Sequence, residues 1–258
     1  MSRIRIAFFD IDGTLVDPAT GRISELHRQT LRRLGERGIL RCIVTGRPPV
    51  CLPDLGDVQV DAVATFNGSF CRAGETTVCS NPVDPADVDQ VLKNAAALGR
   101  PVSLALRDRL VANGWEPDLA GYYRLAGIEL TVAEDFEDAL REDIYQVMLG
   151  CRPADHPAIL RGTKHVKMAV SWDRAADVIP ADGGKGKAIG QILAHYGLEK
   201  ADAIAFGDNL NDLDMLQAVG TGVAMGNAAP ELKAVADAVC EPVSDDGIYR
   251  YCLSHGLI

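Results

Sequence analysis

Five short apolar runs in this chain each stop abruptly at a polar turn that carries a glycine. Residues 4–9 end at Asp10-Ile11-Asp12-Gly13, and residues 39–44 end at Thr45-Gly46-Arg47. Residues 58–65 are followed by Asn67-Gly68, 203–206 by Gly207-Asp208, and 222–225 by Gly226-Asn227. Runs of this length closed by Asp, Asn or Gly read as buried strands. Helical patterns lie between them. Residues 24–37 have Ser24 as N-cap, an apolar stripe of Leu26, Thr30, Leu31 and Leu34, and Gly38 as the stop. Further helices are predicted over 187–196, 213–219 and 230–236, the last opened by Pro230, before a short strand at 238–239. Strands that alternate with helices imply an α/β fold, a parallel sheet covered on both faces.

The middle of the chain breaks that rhythm. Pro82 and Pro85 flank one break, and "PADGG" at 180–184 marks another. Between them lie a helical stretch (86–98), the strand-like runs "PVSLAL", "RLVAN", "IYQVMLG" and "HVKMAVSW", and helical pieces at 121–126 and 156–161. Strands that cluster without βαβ order predict an α+β insert with its own sheet, spliced into the core at two hinges.

Composition narrows the partners. A chain of 258 residues, 47% apolar and 24% charged, can bury a core plus a smaller insert. A net charge of -10 suits neither nucleic acid nor an anionic membrane, both of which favour a basic patch. Seven cysteines, an odd number without CxxC spacing, fit buried thiols of a reducing cytosol better than zinc or disulfides. The start runs straight into a strand without a signal-peptide pattern, and no apolar run approaches the roughly 20 residues of a bilayer span. The expectation is a soluble cytoplasmic protein without a membrane or nucleic-acid partner.

In open α/β sheets, ligands bind beyond the carboxyl ends of the strands. Alternate residues of an extended segment share a side, so Asp10 and Asp12 flank one reacting atom if the strand persists that far. One would be a nucleophile forming an acyl-phosphate, the other a general acid/base. By itself the segment fits a turn plus a helix cap equally well. "GDNLNDLDML" tips the balance. Asp208, Asn211 and Asp212 crowd the start of a helix, and such an oxygen-rich cluster suits Mg²⁺. An N-cap explains one of those acids but not the group. Thr45 and Gly46 offer a hydroxyl and a backbone N–H to phosphate, though in isolation they fit a plain turn. Lys185, in "GGKGKA", is a point charge for phosphate, though in isolation it fits a surface lysine. These signals converge on one edge of one sheet.

With those residues in view, the chain resembles the haloacid dehalogenase superfamily, in particular the Cof-type class IIB phosphatases. "FFDIDGTL", "VTGR", "GGKGKAI" and "GDNLND" are similar to the four motifs in order, with "TFNGSF", residues 223–239 and "DDGI" as further features. The resemblance implies a Rossmann-like catalytic core (1–81 and 182–258) carrying an inserted α+β cap domain of the class IIB type (82–181). It also implies Mg²⁺-dependent hydrolysis of a small phosphorylated metabolite. Asp10 would be the nucleophile. Asp12 would be the acid/base and touch the metal through its carbonyl. Thr45, Gly46 and Asn211 would bind the phosphoryl oxygens, with Lys185 offsetting their charge. Asp208 would ligate Mg²⁺, and Asp212 would complete or orient its shell.

In the insert, Arg107, Asp108, Arg109, His165 and Lys167 are polar candidates that each fit a solvated surface residue better. No stretch there names a substrate, and nothing speaks to oligomeric state. Two rival readings keep the same residues: a phosphohexomutase-type phosphoryl transferase, and a non-catalytic phosphate-binding module.

Overall fold

In the computed structural model, which describes residues 4–258, the first apolar run lies inside an eight-stranded sheet. The order across it is Ala238–Val239, Thr221–Ala224, Ala203–Gly207, Ile6–Phe9, Leu40–Val44, Ala62–Thr65, Phe70–Ala73 and Thr76–Ser80. The first six run parallel, and the last two form an antiparallel hairpin on the edge. Ile6, Ala7, Phe8 and Phe9 are all fully buried. A strand covered on both faces reads as an unbroken apolar run, which is why it stands out in the sequence.

Helices complete the layers. Glu25–Glu36 packs on Gly247–Ser254, and Lys185–Tyr196 packs on Leu213–Gln217. The first helix is capped as expected, Ser24 Oγ accepting from the His27 amide at 3.0 Å. Its stripe is shifted by one residue. His27, Thr30, Leu31 and Leu34 are buried, whereas Leu26 is exposed. Residues 27, 30, 31 and 34 keep the i, i+3, i+4, i+7 spacing, and Leu26 lies about 100° round from His27. The strand expected over 58–65 starts only at Ala62. Asp61 before it is occupied by the Arg41 amide at 2.7 Å.

The inserted sheet has five strands, ordered Val166–Trp172, Ala175–Pro180, Gln146–Gly150, Val102–Ala105 and Leu110–Ala112, all antiparallel. The helix Pro85–Ala97 stands near its expected place, with Asp84 as its cap. The helical piece expected at 121–126 is Pro117–Leu125. One face of this sheet closes on its own apolar cluster, which includes Val91, Leu104, Val147, Leu149, Ala176 and Val178. The other face meets the main sheet. There Phe66 of the core stacks on Tyr145 of the insert at 5.1 Å, within a second apolar cluster. All seven cysteines are free and buried.

Candidate active site

Two neighbouring parallel strands end side by side, and their last aromatic rings form a floor. Phe9 and Phe206 stack with centroids 5.4 Å apart. Directly above, the chain leaves each strand with an acid. Asp10 is nearly buried, its amide donating to Phe206 O at 3.1 Å. Asp208 accepts from the Thr14 hydroxyl at 3.0 Å. The approach between the two loops is close enough to demand Gly13. Its φ is +80°, and a Cβ there would sit 2.2 Å from Asp208 Oδ2.

Lys185 completes the cluster from a third direction. It opens the helix Lys185–Tyr196, behind Gly184 at φ +133°. A cation at a helix N-terminus opposes the macrodipole, and a fully buried one also loses its hydration. Two carboxylates offset both costs. Lys185 Nζ donates to Asp10 Oδ1 at 2.6 Å and to Asp212 Oδ1 at 2.5 Å. The other oxygen of Asp212 accepts from the amides of Asp208 (2.9 Å) and Asn209 (3.0 Å). Asp212 therefore orients both the lysine and the Asp208 loop.

Asp10, Asp208 and Asp212 each offer an oxygen, and the three atoms lie within 4.8 Å of one another. Burial pushes Asp10 up to about 7 against the pull of Lys185. Burial, with the charges of Asp10 and Asp212, pushes Asp208 up to about 9. Burial alone would depress Lys185, but the two carboxylates hold it above its ordinary value. One ammonium among three crowded acids leaves an excess of negative charge. The all-oxygen donor set fits a hard divalent cation, which would relieve that excess.

Asp12 is placed differently from the expectation of a shared strand face. The strand stops at Phe9, and a tight turn follows, with Gly13 N bonded to Val16 O and Val16 N to Ile11 O. The Asp12 carboxylate, 48% exposed, lies outside the three-acid cluster. Arg47 takes it in a bidentate grip, Nε to Oδ2 at 2.8 Å and Nη2 to Oδ1 at 2.6 Å. Arg47 also reaches Cys51 O at 2.7 Å and, in the insert, Leu125 O at 3.4 Å. Sequence reasoning quoted Arg47 in "VTGR" but gave it no role. Nothing in local spacing announces a partner 35 residues away.

Thr45, Gly46 and Asn211 gather around Asn67, which the sequence places at a strand end beside Gly68 but without a role of its own. Thr45 is buried, and its hydroxyl accepts from the Arg47 amide at 3.1 Å. A Cβ on Gly46 would come within 3.1 Å of Asn67 Oδ1. Asn211 Nδ2 donates to that same oxygen at 3.0 Å. Asn67 itself is held at φ +52°, its amide donating to Thr45 O at 2.9 Å. The only available signal was Asn before Gly, the residue type most at ease in that conformation after glycine.

None of the insert's named candidates belongs to the three-acid cluster. Arg109 pairs with Asp108, Asp135 and Glu142, and His165 lies near Asp84 and Asp87. Arg107 sits over the Phe70 ring at 5.7 Å and lines a cavity of about 690 Å³ that none of the three clustered acids touches. Lys167 donates to Gly183 O at 2.6 Å, at the second hinge.

Known proteins resemble this chain over most of its length. The model of a family described as haloacid dehalogenase-like hydrolase matches residues 7–252. YkrA of Bacillus subtilis (strain 168) is 33% identical, over 98% of each chain. The HMP-PP phosphatase of Citrobacter koseri is 32% identical, over 89% of this chain and 87% of its own. Among solved structures, the subclass IIB sugar phosphatase BT4131 superposes with a TM-score of 0.92 at 27% identity, covering 98% of this chain and all of that one. Among the described residues no helix is long and apolar enough to cross a membrane.

Proposed function

The chain belongs to the haloacid dehalogenase-like hydrolases and is a phosphatase, and we propose that it hydrolyses monoesters of small phosphorylated metabolites with Mg²⁺ and an aspartyl-phosphate on Asp10. The observation that carries this reading is the Lys185 ammonium shared between Asp10 and Asp212, beside Asp208, at the carboxyl edge of the sheet.

Lys185 holds Asp10 Oδ1, which leaves Oδ2 as the attacking oxygen. In the first step Oδ2 forms a bond to phosphorus, and the ester P–O bond breaks. Asp12 gives its proton to the departing oxygen. In the second step a water attacks phosphorus while Asp12 takes a proton from it. The bond to Asp10 breaks, and inorganic phosphate leaves. Thr45, the Gly46 N–H and Lys185 position the phosphoryl oxygens, with Asn211 alongside. Mg²⁺, held by Asp10, Asp208 and Asp212, would neutralise the charge that gathers on the phosphoryl group. Asp12 must release Arg47 to reach the leaving oxygen, so that ion pair belongs to a resting arrangement.

The test is phosphate release from p-nitrophenyl phosphate by the purified chain. Wild type is expected to turn over with Mg²⁺, to stop in EDTA and to recover when Mg²⁺ is restored. Asp10→Asn is expected to lose about 10³-fold or more, the scale on which loss of a nucleophile is felt. Turnover that survives Asp10→Asn would remove Asp10 from the nucleophile's role.

A further inference from the structure

Two buried side-chain oxygens at the seam between the sheets accept no hydrogen bond from any described residue: Asp177 Oδ1 and Asn211 Oδ1. They stand at opposite ends of one hydrogen-bonded chain. Asn211 Nδ2 donates to Asn67 Oδ1 at 3.0 Å, and Asn67 Nδ2 donates to Asp177 Oδ2 at 3.1 Å. The Tyr122 hydroxyl donates to the same Asp177 oxygen at 3.1 Å and pairs with Ser171 Oγ, also at 3.1 Å.

The local fold explains why an acid faces this seam. Asp177 lies between Ala176 and Val178, which both point into the insert's own apolar cluster. Alternation along the strand then turns Asp177 to the opposite face, toward the core. It is 1% exposed, and burial pushes it up to about 7 despite its bonds to Tyr122 and Asn67. Among the described residues, no lysine or arginine is a hydrogen-bond or ion-pair partner of Asp177. A buried carboxylate without a cation is costly, and a purely structural need at this position would be met by an amide.

The position relative to the chemistry is equally specific. Asn67, which Asp177 grips, crowds Gly46 and holds Asn211, so the chain runs from the residues expected around the phosphoryl group up into the insert. The helix that carries Tyr122 also reaches toward Asp12, because Arg47, which holds the Asp12 carboxylate, donates to Leu125 O of that helix at 3.4 Å. A leaving group on a phosphoryl group held at Asp10, with Asp12 as its acid, would face this seam.

We infer that Asp177 is a specificity-determining residue: in its carboxylate form its Oδ1, aided by Asn211 Oδ1, accepts a hydrogen bond from a hydroxyl or amino group on the leaving group. Esters that carry such a donor are selected over alkyl esters of the same length. This rests on the phosphatase reading above. A buried acceptor discriminates because a substrate without the donor leaves it dehydrated and unpaired.

The experiment compares kcat/KM for glycerol 3-phosphate and n-propyl phosphate in the same Mg²⁺-loaded preparation, with p-nitrophenyl phosphate as the check on turnover. Wild type is expected to favour glycerol 3-phosphate by about 10- to 100-fold. Asp177→Asn, nearly isosteric, can present N–H in place of the free acceptor, and the ratio is expected to fall to within a few-fold of one. Tyr122→Phe removes the hydroxyl that orients Asp177 and is expected to lower the ratio several-fold. It decides the matter if the first variant does not fold. A wild type that hydrolyses p-nitrophenyl phosphate without preferring glycerol 3-phosphate overturns this inference alone. So does a preference unchanged in a folded variant. No release from p-nitrophenyl phosphate overturns the phosphatase reading, and this one with it.

Discussion

Lys185 is a buried cation whose position depends on two buried anions, and the three cannot be altered independently. Removing the ammonium leaves Asp10 and Asp212 facing each other away from water. Lys185→Met is therefore expected to cost about 3–5 kcal/mol of stability, the usual scale for breaking a buried pair, as well as activity. Urea unfolding in EDTA measures it. The double variant Lys185→Met with Asp212→Asn removes one of the stranded charges. It is expected to regain part of that stability and none of the activity. Gly13 is constrained as tightly. Gly13→Ala must push Asp208 aside, because its Cβ would lie 2.2 Å from Oδ2 in a backbone at φ +80°. It is expected to lower divalent-cation affinity, read by calorimetry, and to cost about 1 kcal/mol or more in the strained backbone. At this scale the sequence was informative about residue types. Acids, lysine and glycine at those positions are hard to explain otherwise. Partners were not legible. That Arg47 holds Asp12, and that Asn67 occupies the donor of Asn211, are contacts across 35 and 144 residues.

Among the elements, the two strands that carry Asp10 and Asp208 are held together beneath the site by Phe9 and Phe206. Phe206→Ala is expected to destabilise by about 3–5 kcal/mol, the usual cost of emptying a fully buried aromatic site. It should also loosen the spacing of the acids above, so the thermal midpoint and cation affinity are expected to fall together. The buried parallel strands were readable because both faces are apolar and the runs are continuous. The Phe70–Ala73 and Thr76–Ser80 hairpin was missed as strand for the opposite reason. It lies on the edge, and its burial alternates, with Cys71 and Ala73 inside and Arg72 outside. The terminal helix Gly247–Ser254 was missed too, being only eight residues long. Leu26 was misread because three apolar residues near helical spacing allow more than one face, and packing on the sheet selected His27's.

In the whole molecule the seam joins an apolar contact, Phe66 on Tyr145, to a polar one, Asp177 with Asn67 and Tyr122. The polar side makes stability depend on pH. Burial raises Asp177 from an ordinary 3.8 to about 7. The folded state therefore holds this proton where the unfolded chain has released it. Its contribution is fully present below about pH 4 and is lost as pH rises through about 7. Asp177→Asn has no proton to lose. Its stability relative to wild type is thus expected to rise between pH 5 and pH 8, measured by thermal unfolding in the two buffers. A relative stability that falls over that interval would contradict the assignment.

The residue types of the catalytic cluster, the strand-and-helix alternation and the presence of an insert were determined by the sequence itself. They are local quantities: what a backbone position tolerates, which spacing buries a face, where an apolar run must stop. Only the tertiary structure decided that Asp12 turns away to Arg47, that Asp212 orients Lys185, and that an acid of the insert meets an asparagine of the core. Those outcomes depend on which buried charges and dipoles end up adjacent once two sheets close on each other. That adjacency is set by packing over the whole chain, because a buried polar group takes whatever partner the fold brings to it.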